Sequence, residues 1–440
     1  MRRKVTLATA AGLLTLFLTG FGGSVKGERL AGSPAQLALL EESDTDAERG
    51  NPMENSSVAL TRSLQEQLDA AVSQGIPGIV AAIADSGGIR WTGSAGVAKL
   101  QTGEALRADH LFGLGSITKT FVAVVVHQLA EEGKLSLTQT PLDILGPDAV
   151  GDIPNASLAT VAHLLNHTSG IPSWEDDPAW IRDGRGANTE TGRIWGKTET
   201  LDYIRNSDAL FTPGHYYSYA NTNHTLLGMI IEQVTGNEAT AEIRARVLNP
   251  IGAEDIYLEG FDEFSKTRTA PRYHHATEAF KRDAGVAADF PEIAPGIIDV
   301  STSNLSVEWT AGGMVATLQD LVRYTLALRD GALLNEAAMA RLYDWRPTLK
   351  PGDTGYSSLV GYGVFRYETS AGGWIGHGGD VLGYTANMHW HETEDLVVIV
   401  LANVGSMHSG GSVMTAYDVG RRSEFPSLAL RLLKSQKDAQ

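Results

Sequence analysis

The sequence contains no cysteine among its 440 residues. Disulfide bonds and a lipid-modified cysteine are therefore both excluded. Basic residues are also few relative to acidic ones, since 35 Lys and Arg stand against 52 Asp and Glu, which gives a formal net charge of −17. That charge disfavours nucleic acid and anionic membrane surfaces as partners. The chain also lacks an internal repeat and a low-complexity tract. From its length and its 42% content of hydrophobic residues we expect one large domain or two closely packed ones.

The N-terminus is typical of an export signal. Three basic residues, Arg2-Arg3-Lys4, precede an apolar run from Val5 to Phe21 that small glycines follow. This pattern predicts a signal peptide over residues 1–23 and an exported protein, periplasmic or secreted. An uncleaved membrane anchor is the competing interpretation, because the run approaches the length that spans a bilayer. In that case only this segment would contact a membrane.

The rest of the chain divides into a polar linker, a folded domain and a tail. Residues 24–57 are rich in Gly, Ser, Pro and acidic residues, which is typical of a linker. We therefore predict that the folded domain covers residues 58–430 and that residues 431–440 form a tail. No second transmembrane candidate occurs along the chain.

Strand patterns lie at both ends of the folded region, and helix patterns lie between them. The predicted strands are Gly78–Ala84, Ile89–Val97, Trp374–Gly378, Tyr384–Trp390 and Leu396–Ala402. The predicted helices are Ala159–His167, Asn223–Val234, Leu318–Leu328 and Glu336–Tyr343. These patterns predict an α+β fold, an α/β sandwich. Its antiparallel sheet is built from both chain ends, flanked by helices, and interrupted by an inserted, mainly helical region.

The first candidate for chemistry is Ser116-Ile117-Thr118-Lys119, the only Ser-x-x-Lys in the chain. An apolar run from Phe121 to Leu129 follows it and predicts a buried helix that ends at Gly133. Positions i and i+3 share a helix face, so the Ser116 hydroxyl and the Lys119 amine are expected within hydrogen-bond reach. A buried lysine with a lowered pKa can accept the serine proton and activate the nucleophile. The alternative is a helix-capping serine followed by a solvated lysine.

The second candidate is Tyr219-Ala220-Asn221, the only Tyr-x-Asn in the chain. A phenol near the Lys119 ammonium would have its pKa lowered and could shuttle protons. Asn221 both donates and accepts hydrogen bonds, which suits orienting Lys119 and a substrate amide. The alternative is a tyrosine packed at a helix entry with asparagine as its N-cap.

A third element should supply oxyanion donors and a cationic or hydrogen-bonding group on a strand. Three segments are candidates: Lys350-Pro351-Gly352, His377-Gly378-Gly379 and His408-Ser409-Gly410. The first contains a proline and a following turn, and the third lies in a Gly/Ser run, so both are predicted to be loops. Only His377 lies in a strand pattern. We therefore select His377.

These three motifs, in this order, resemble those of the serine β-lactamase and penicillin-binding protein superfamily. The nearest branch contains class C β-lactamases and a D-alanyl-D-alanine carboxypeptidase. Three further segments also resemble that branch: His163–Gly170, Ala311–Val315 and Gly361–Gly363. The resemblance covers the chain from about Val58 to Asn403 and implies a β-lactamase/transpeptidase-like fold.

The resemblance also implies a role for each matched residue. Ser116 attacks an acyl carbon, Lys119 and Tyr219 manage its proton, Asn221 orients them, and His377 lies opposite. The backbone N–H groups of Ser116 and Asp380 form the oxyanion hole. An acyl-enzyme forms and water releases it, so the resemblance implies neither a metal nor an organic cofactor.

Two departures from the family pattern affect the expected substrate. Gly378 stands where Thr or Ser usually helps to bind a substrate carboxylate beside Gly379, and Ala220 stands where serine is common. The lost hydroxyl at position 378 removes a charge-assisted hydrogen bond of roughly 1.5 to 3 kcal/mol. Arg366 is a replacement candidate for carboxylate binding, and an exposed strand residue is the equal alternative.

Histidine pairs raise the question of a metal site. His163 and His167 have i, i+4 spacing on a predicted helix, and His389 and His391 flank a tryptophan beside Glu392. Either spacing suits zinc, but neither pair has a convincing third ligand. We therefore expect no metal.

Three functional hypotheses follow from the sequence. The first is an exported serine hydrolase, with D-alanyl-D-alanine carboxypeptidase as the favoured activity on a peptidoglycan stem peptide. The second keeps the acyl-enzyme chemistry but acts as a β-lactamase, a short-chain esterase or a D-aminopeptidase. The third is a non-catalytic penicillin-binding sensor that is acylated without turnover.

Overall fold

The computed structural model describes residues 52–107, 109–349, 358–411 and 413–438. The predicted signal peptide (1–23), most of the predicted linker (24–57) and the Lys350-Pro351-Gly352 candidate lie outside these residues. No helix of the described part is both long enough and apolar enough to cross a membrane.

The described residues form a few long helices and strands and many short ones. The helices are α1 (Pro52–Ser73), α2 (Thr118–Glu131), α3 (Pro141–Leu145), α4 (Pro147–Val150), α5 (Val161–Leu165), α6 (Pro178–Trp180), α7 (Asn221–Thr235), α8 (Ala239–Ile243), α9 (Asn249–Ile251), α10 (Glu278–Asp283), α11 (Trp309–Gly312), α12 (Leu318–Arg329), α13 (Glu336–Leu342) and α14 (Phe425–Asp438). The strands are β1 (Gly78–Asp85), β2 (Gly88–Gly96), β3 (Phe112–Gly113), β4 (Ile256–Leu258), β5 (Tyr273–His275), β6 (Glu292–Ala294), β7 (Ile297–Asp299), β8 (Met314–Ala316), β9 (Arg346–Pro347), β10 (Ser358–Val360), β11 (Phe365–Thr369), β12 (Gly372–Val381), β13 (Tyr384–His391), β14 (Val397–Ala402) and β15 (Val404–Gly405).

The main sheet joins the two ends of the folded region. Its strand order is β2-β1-β14-β13-β12-β11-β10-β9, and neighbouring strands are antiparallel. Strands β1 and β2 come from the N-terminal side, and all the others come from beyond residue 345. The mainly helical region is inserted between them. The predicted α+β sandwich with a sheet from both chain ends is therefore confirmed.

The neighbouring strands β1 and β14 separate two hydrophobic cores. Along β1, Ile79, Ala81 and Ile83 pack into one core, while the intervening residues pack into the other. Strand β14 alternates in the same way. Successive side chains of a strand point to opposite faces, so these strands are apolar throughout because both faces are covered. Helices α1 and α14 cover one face, and α2 and α12 cover the other.

Both predicted domain boundaries move outward in the structure. Helix α1 begins at Pro52, ahead of the boundary predicted at Val58, so the end of the predicted linker is helical. Helix α14 runs to Asp438 through most of the segment predicted to be a tail. Its buried residues Leu428, Leu432 and Leu433 explain the difference, because they extend the helical apolar stripe that packs beside α1.

Candidate active site

Ser116 lies in a 3₁₀ turn, Gly115–Ile117, that leads directly into α2. Most of the α2 side chains are buried, as the apolar run predicts, and Gly133 follows the helix in the left-handed conformation. The Lys119 amine lies 3.0 Å from the Ser116 hydroxyl oxygen. The prediction that these two groups share one face is therefore confirmed, and a solvated lysine is excluded because Lys119 is fully buried.

The other contacts of Lys119 leave its lone pair available when the amine is neutral. Its Nζ donates to the Asn221 side-chain oxygen at 2.7 Å and to the Ala311 carbonyl at 2.5 Å. Neither oxygen can donate, so these two bonds use two N–H groups. A neutral amine then has its lone pair left for the Ser116 hydroxyl proton. The geometry is that of a general base beside its nucleophile.

Burial is the main reason why the pKa of Lys119 lies below its ordinary range. The carboxylates of Glu175 and Glu308 act in the opposite direction and raise that pKa in part. Desolvation exceeds this attraction, so the amine loses its proton more readily than an exposed lysine does.

Tyr219 lies beside Lys119, but its predicted pKa shift was wrong. The Lys119 amine is 4.9 Å from the centre of the Tyr219 ring. Burial raises the pKa of Tyr219 well above its ordinary value, and the nearby Ser116 hydroxyl offsets this only in part. The Tyr219 hydroxyl is buried and unpaired among the described side chains. Tyr219 is therefore a neutral phenol at the site, able to relay a proton but not poised as a phenolate.

Asn221 is the first residue of α7 and connects Lys119 to a buried charge network. Its side-chain nitrogen donates to Glu175, while its oxygen accepts from Lys119. Arg185 donates to Glu175 at 2.6 Å and to Glu308 at 2.8 Å. All of these side chains are buried, and burial raises the pKa of Glu175 above its ordinary range. Breaking such a buried network is costly because it leaves an unpaired charge.

His377 lies in β12, as predicted, and faces the site as a neutral ring. Its Nδ1 is 2.6 Å from the Gly378 carbonyl oxygen, so Nδ1 carries the proton and Nε2 is an acceptor. Burial, assisted by the charge of Lys119, lowers the pKa of His377 to about 3. Of the two roles predicted for this position, the structure favours hydrogen bonding over a cation. His408 lies in the loop after β15.

The oxyanion hole stays a prediction, but the backbone places its two predicted amides close together. Gly115 has a φ of +52°, and a Cβ there would lie 2.8 Å from the Asp380 amide nitrogen. A Cβ on Gly379 would overlap the Leu114 carbonyl oxygen. Two glycines thus allow β12 to approach the turn that carries Ser116. The Asp380 carboxylate accepts the Ser406 N–H at 2.9 Å.

The three supporting segments hold the catalytic elements in place. His167 accepts the Ala220 N–H at 3.2 Å, and its ring stacks on Tyr219 with centres 4.4 Å apart. The Ala311 carbonyl binds Lys119, and the Tyr362 carbonyl lies 3.2 Å from a ring nitrogen of His127 on α2. Their roles are therefore structural support around the three motifs.

Arg366 does not reach the site, which corrects the carboxylate-binding role. Its side chain binds Glu392 at 2.7 Å and Glu368 at 2.7 Å. Its neighbours Phe365 and Tyr367 line the pocket instead. Because successive strand residues face opposite sides, Arg366 points away from the pocket. The structure therefore supports the alternative interpretation, in which Arg366 is a strand residue at the protein surface.

The histidine pairs have partners of their own. His163 binds the Thr160 N–H within a helix cap, and His391 binds the Ala371 carbonyl. His389 contacts Asn387. Among the residues that the structure describes, no group of three His, Cys, Asp or Glu side chains could hold a metal ion.

A cavity of about 500 Å³ opens beside Ser116. Several of its lining residues were not predicted, because they come from strands β10 and β11, from turns and from the C-terminal segment, none of which carries a motif. The unpredicted residues are Ser173, Glu175, Asp176, Ser358, Phe365, Tyr367, Met407, Tyr417 and Arg421. Glu175 and Asp176 belong to the 3₁₀ turn Trp174–Asp176.

Comparisons with known proteins identify the family of the chain. A family model described as Beta-lactamase matches residues 59–419. Esterase EstB from Burkholderia gladioli is 29% identical over 281 residues, which cover 61% of this chain and 70% of the esterase. Penicillin-binding protein 4 from Amycolatopsis lactamdurans is 31% identical over 189 residues, 43% of this chain and 46% of that protein. The match thus spans less than half of the penicillin-binding protein.

Two similar solved structures are matched over nearly their whole length. The D-amino acid amidase from Ochrobactrum anthropi SV3 has a TM-score of 0.71 and 26% identity, covering 86% of this chain and 99% of that one. A D-stereospecific amidohydrolase from Streptomyces sp. has a TM-score of 0.69 and 28% identity, covering 82% and 98%. The structural similarity therefore extends over most of this chain.

Proposed function

This chain belongs to the beta-lactamase family of serine hydrolases, and we propose that it hydrolyses amide bonds of D-amino acid derivatives through an acyl-enzyme on Ser116. The observation that carries this proposal is the buried Lys119 amine, 3.0 Å from the Ser116 hydroxyl and held by two pure acceptors. A hydroxyl beside such an amine is an activated nucleophile.

The residues define each proton transfer of the proposed reaction. The Ser116 oxygen bonds to the acyl carbon while its proton passes to Lys119. The neutral Tyr219 relays that proton to the leaving nitrogen as the carbon–nitrogen bond breaks. The amides of Ser116 and Asp380 stabilise the oxyanion. Water then bonds to the acyl carbon and gives a proton to Lys119. As the bond from that carbon to the Ser116 oxygen breaks, Lys119 passes the proton to this oxygen, which releases the acid and restores the hydroxyl.

The pocket's carboxylates support a substrate with a free ammonium group. Glu175 lies behind Asn221 and lines the cavity, and Asp176 lies beside it with its side chain exposed. An α-ammonium group would find complementary charge there. The solved relative of 25% identity is described as a D-amino acid amidase complexed with D-phenylalanine. That description supports a D-amino acid at the acyl position here.

A second candidate is the D-alanyl-D-alanine carboxypeptidase activity that the motifs favour. The observation for it is Arg421, whose guanidinium lines the same cavity and suits a substrate carboxylate. Penicillin-binding relatives also support it. This candidate requires a leaving group that ends in a carboxylate, whereas an amidase releases ammonia.

The first test is the intact mass of the purified protein after brief exposure to a penicillin, together with hydrolysis of D- and L-phenylalanine amide. We expect hydrolysis of the D-amide only, and none by Ser116→Ala. Ser358→Ala, which removes another serine hydroxyl of the pocket, is the matched control and should stay active. If neither amide were hydrolysed and the wild type kept a penicillin adduct, the proposal would fail and a carboxypeptidase or sensor would replace it.

We further propose that the protein is exported, on the basis of its N-terminal sequence. Expression in a bacterial host should give a mature protein outside the cytoplasm that has lost about the first 23 residues. Mass spectrometry of the two fractions measures this. A full-length chain found only in the cytoplasm would contradict export.

A further inference from the structure

The C-terminal segment covers the third motif at Gly378. A Cβ on Gly378 would overlap the Tyr417 ring, and it would lie 2.7 Å from the Tyr417 hydroxyl oxygen. The ring therefore occupies the space into which any side chain at position 378 would project. Gly378 and Tyr417 are a matched pair, since one can have a side chain there only if the other lacks it.

Tyr417 is held in this position by its neighbours. The Arg421 guanidinium lies 5.2 Å from the Tyr417 ring centre and 4.2 Å from that of Tyr367. The Arg421 Nε also donates to the Asn387 side-chain oxygen at 2.7 Å, and Asn387 is paired with Gly378 across the sheet. This stack of two rings on one cation makes Tyr417 a built wall of the pocket.

The backbone before Tyr417 is anchored as well. Thr415 donates its N–H and its hydroxyl to Asp418, at 3.0 and 2.7 Å, and so begins the π-helical turn Asp418–Arg422. The Ala416 N–H donates to the Thr385 hydroxyl on β13 at 3.1 Å. These bonds attach the turn to the same sheet that carries His377.

In the proposed function, Tyr417 lies on the leaving-group side of the substrate. In the proposed function, the substrate ammonium lies at Glu175, which is bonded to Asn221 at the start of α7. The acyl carbon lies at Ser116, and the leaving group extends beyond it along β12. The Tyr417 ring lies against Gly378 of β12, and both Tyr417 and Arg421 line the cavity.

We propose that Tyr417 is a specificity-determining residue, whose ring restricts the leaving group to ammonia or a small amine or alcohol. Leaving groups that end in a carboxylate, such as a D-amino acid, are excluded because the ring fills the space beside position 378. This inference rests on the proposed function and decides between its two candidates. Arg421 serves here to position Tyr417.

The test compares D-alanine amide, which releases ammonia, with D-alanyl-D-alanine, which releases a D-amino acid. The wild type should prefer the amide in kcat/KM. Tyr417→Ala should narrow that preference by about ten-fold or more, mainly through a gain on the dipeptide. Tyr417→Phe keeps the ring and should keep the wild-type preference. Thermal unfolding of each variant shows whether it is folded.

A second measurement tests whether side chains at positions 378 and 417 compete for the same space. Gly378→Thr in the wild-type background should lose most activity on the amide, because its side chain collides with the ring. The same substitution combined with Tyr417→Ala should recover activity, and the double variant should gain on the dipeptide. In this double-mutant cycle, the loss of activity caused by Gly378→Thr should therefore be much smaller when Tyr417 is already alanine. Tyr417→Leu, which fills part of the space, covers the case in which Tyr417→Ala does not fold.

The inference is overturned if the wild type prefers D-alanyl-D-alanine. It is also overturned if Tyr417→Ala leaves unchanged the ratio of kcat/KM for the amide to kcat/KM for the dipeptide. A protein that acts on no D-amino acid derivative has a different signature, because the wild type would then hydrolyse neither substrate. The same ratio is in that case measured with two acetate esters, one of methanol and one of lactate, which contain no D-amino acid. An unchanged ratio in Tyr417→Ala would again contradict the role of the ring.

Discussion

The two walls of the active-site cavity differ in how they are held. We name them the nucleophile wall (Ser116, Lys119, Asn221 and Glu175) and the strand wall (His377, Gly378, Tyr417 and Arg421). In the nucleophile wall, buried charges are joined in one continuous network from Lys119 through Asn221 and Glu175 to Arg185. In the strand wall, a neutral histidine and a glycine face a stack of aromatic rings on one arginine.

This difference suggests that the nucleophile wall serves the proton transfers and that the strand wall serves the choice of leaving group. A buried network tolerates little change, because removing one partner leaves an unpaired charge in a desolvated site. A wall made of ring packing and one missing side chain can be altered in shape without disturbing the proton transfers. We therefore expect substitutions in the nucleophile wall to abolish turnover and those in the strand wall to change which leaving group is accepted.

The largest expected effect of the variants in this comparison is that of Lys119→Arg. Arginine stays protonated, so it cannot accept the Ser116 proton. We expect kcat to fall by roughly 10²- to 10⁴-fold, the usual size of a general-base contribution. Steady-state kinetics measure the loss, with Lys134→Arg as the exposed control. Acylation of the folded Lys119→Arg variant at the wild-type rate would show that Lys119 is not the base.

Gly115→Ala tests the approach of the two walls. Its φ of +52° and the 2.8 Å distance from its added Cβ to the Asp380 amide nitrogen both oppose a side chain. Displacing β12 from Ser116 should lower kcat by roughly 10- to 100-fold. Gly133→Ala is the matched control, since its φ is +69° and its Cβ meets open space. That control should lose only about 1 kcal/mol of stability and keep its activity. Equal activity of the two variants would contradict the close approach.

Glu175→Gln tests the electrostatics of the nucleophile wall. The Glu175 carboxylate raises the pKa of Lys119, in opposition to burial. Its removal should lower that pKa further, so the acidic limb of the kcat profile should move to lower pH because the amine is neutral over a wider range. A small ester without an ammonium group isolates this effect. Asp176→Asn is the control and should leave the limb in place. If the acidic limb of the kcat profile moved to higher pH, the Glu175 carboxylate would not be raising the pKa of Lys119.

Arg366→Gln should have the smallest effect. The Arg366 side chain bonds Glu392 and Glu368 and points away from the cavity. We expect kcat/KM within about two-fold of the wild type and a loss of about 0.2 to 1 kcal/mol in the free energy of unfolding, as for other exposed ion pairs. Kinetics and denaturant unfolding measure both. A ten-fold rise in KM limited to carboxylate-bearing substrates would restore the substrate-binding role.

Local features of the fold and site were predictable from the sequence. The β1–β2 hairpin, α2 and the strands β12 to β14 each follow from their own hydrophobic period and turn residues. Ser116 and Lys119 share a helical spacing, which places the nucleophile beside its base without reference to the rest of the chain. His377 could be selected among three candidates because only its segment has a strand pattern.

Features that depend on distant segments were not predictable. Glu175 and Arg185 follow no motif. Glu175 contacts Asn221, and Arg185 contacts Glu175, only because the fold brings their segment against α7. The pKa of Tyr219 moved in the opposite direction to that expected, because burial outweighs any nearby charge and burial is a property of the packed structure. Arg366 has the right charge but lies on the wrong face of its strand.

The sequence by itself determined the pairing of Ser116 with Lys119, the order of the three motifs and the absence of disulfides, because residue type and short spacing suffice for these. Only the tertiary structure decided which protonation states the site holds and what fills the space at Gly378. Desolvation and van der Waals exclusion act between groups that are close in space, and Tyr417 reaches Gly378 from a segment that the spacing of the motifs does not include.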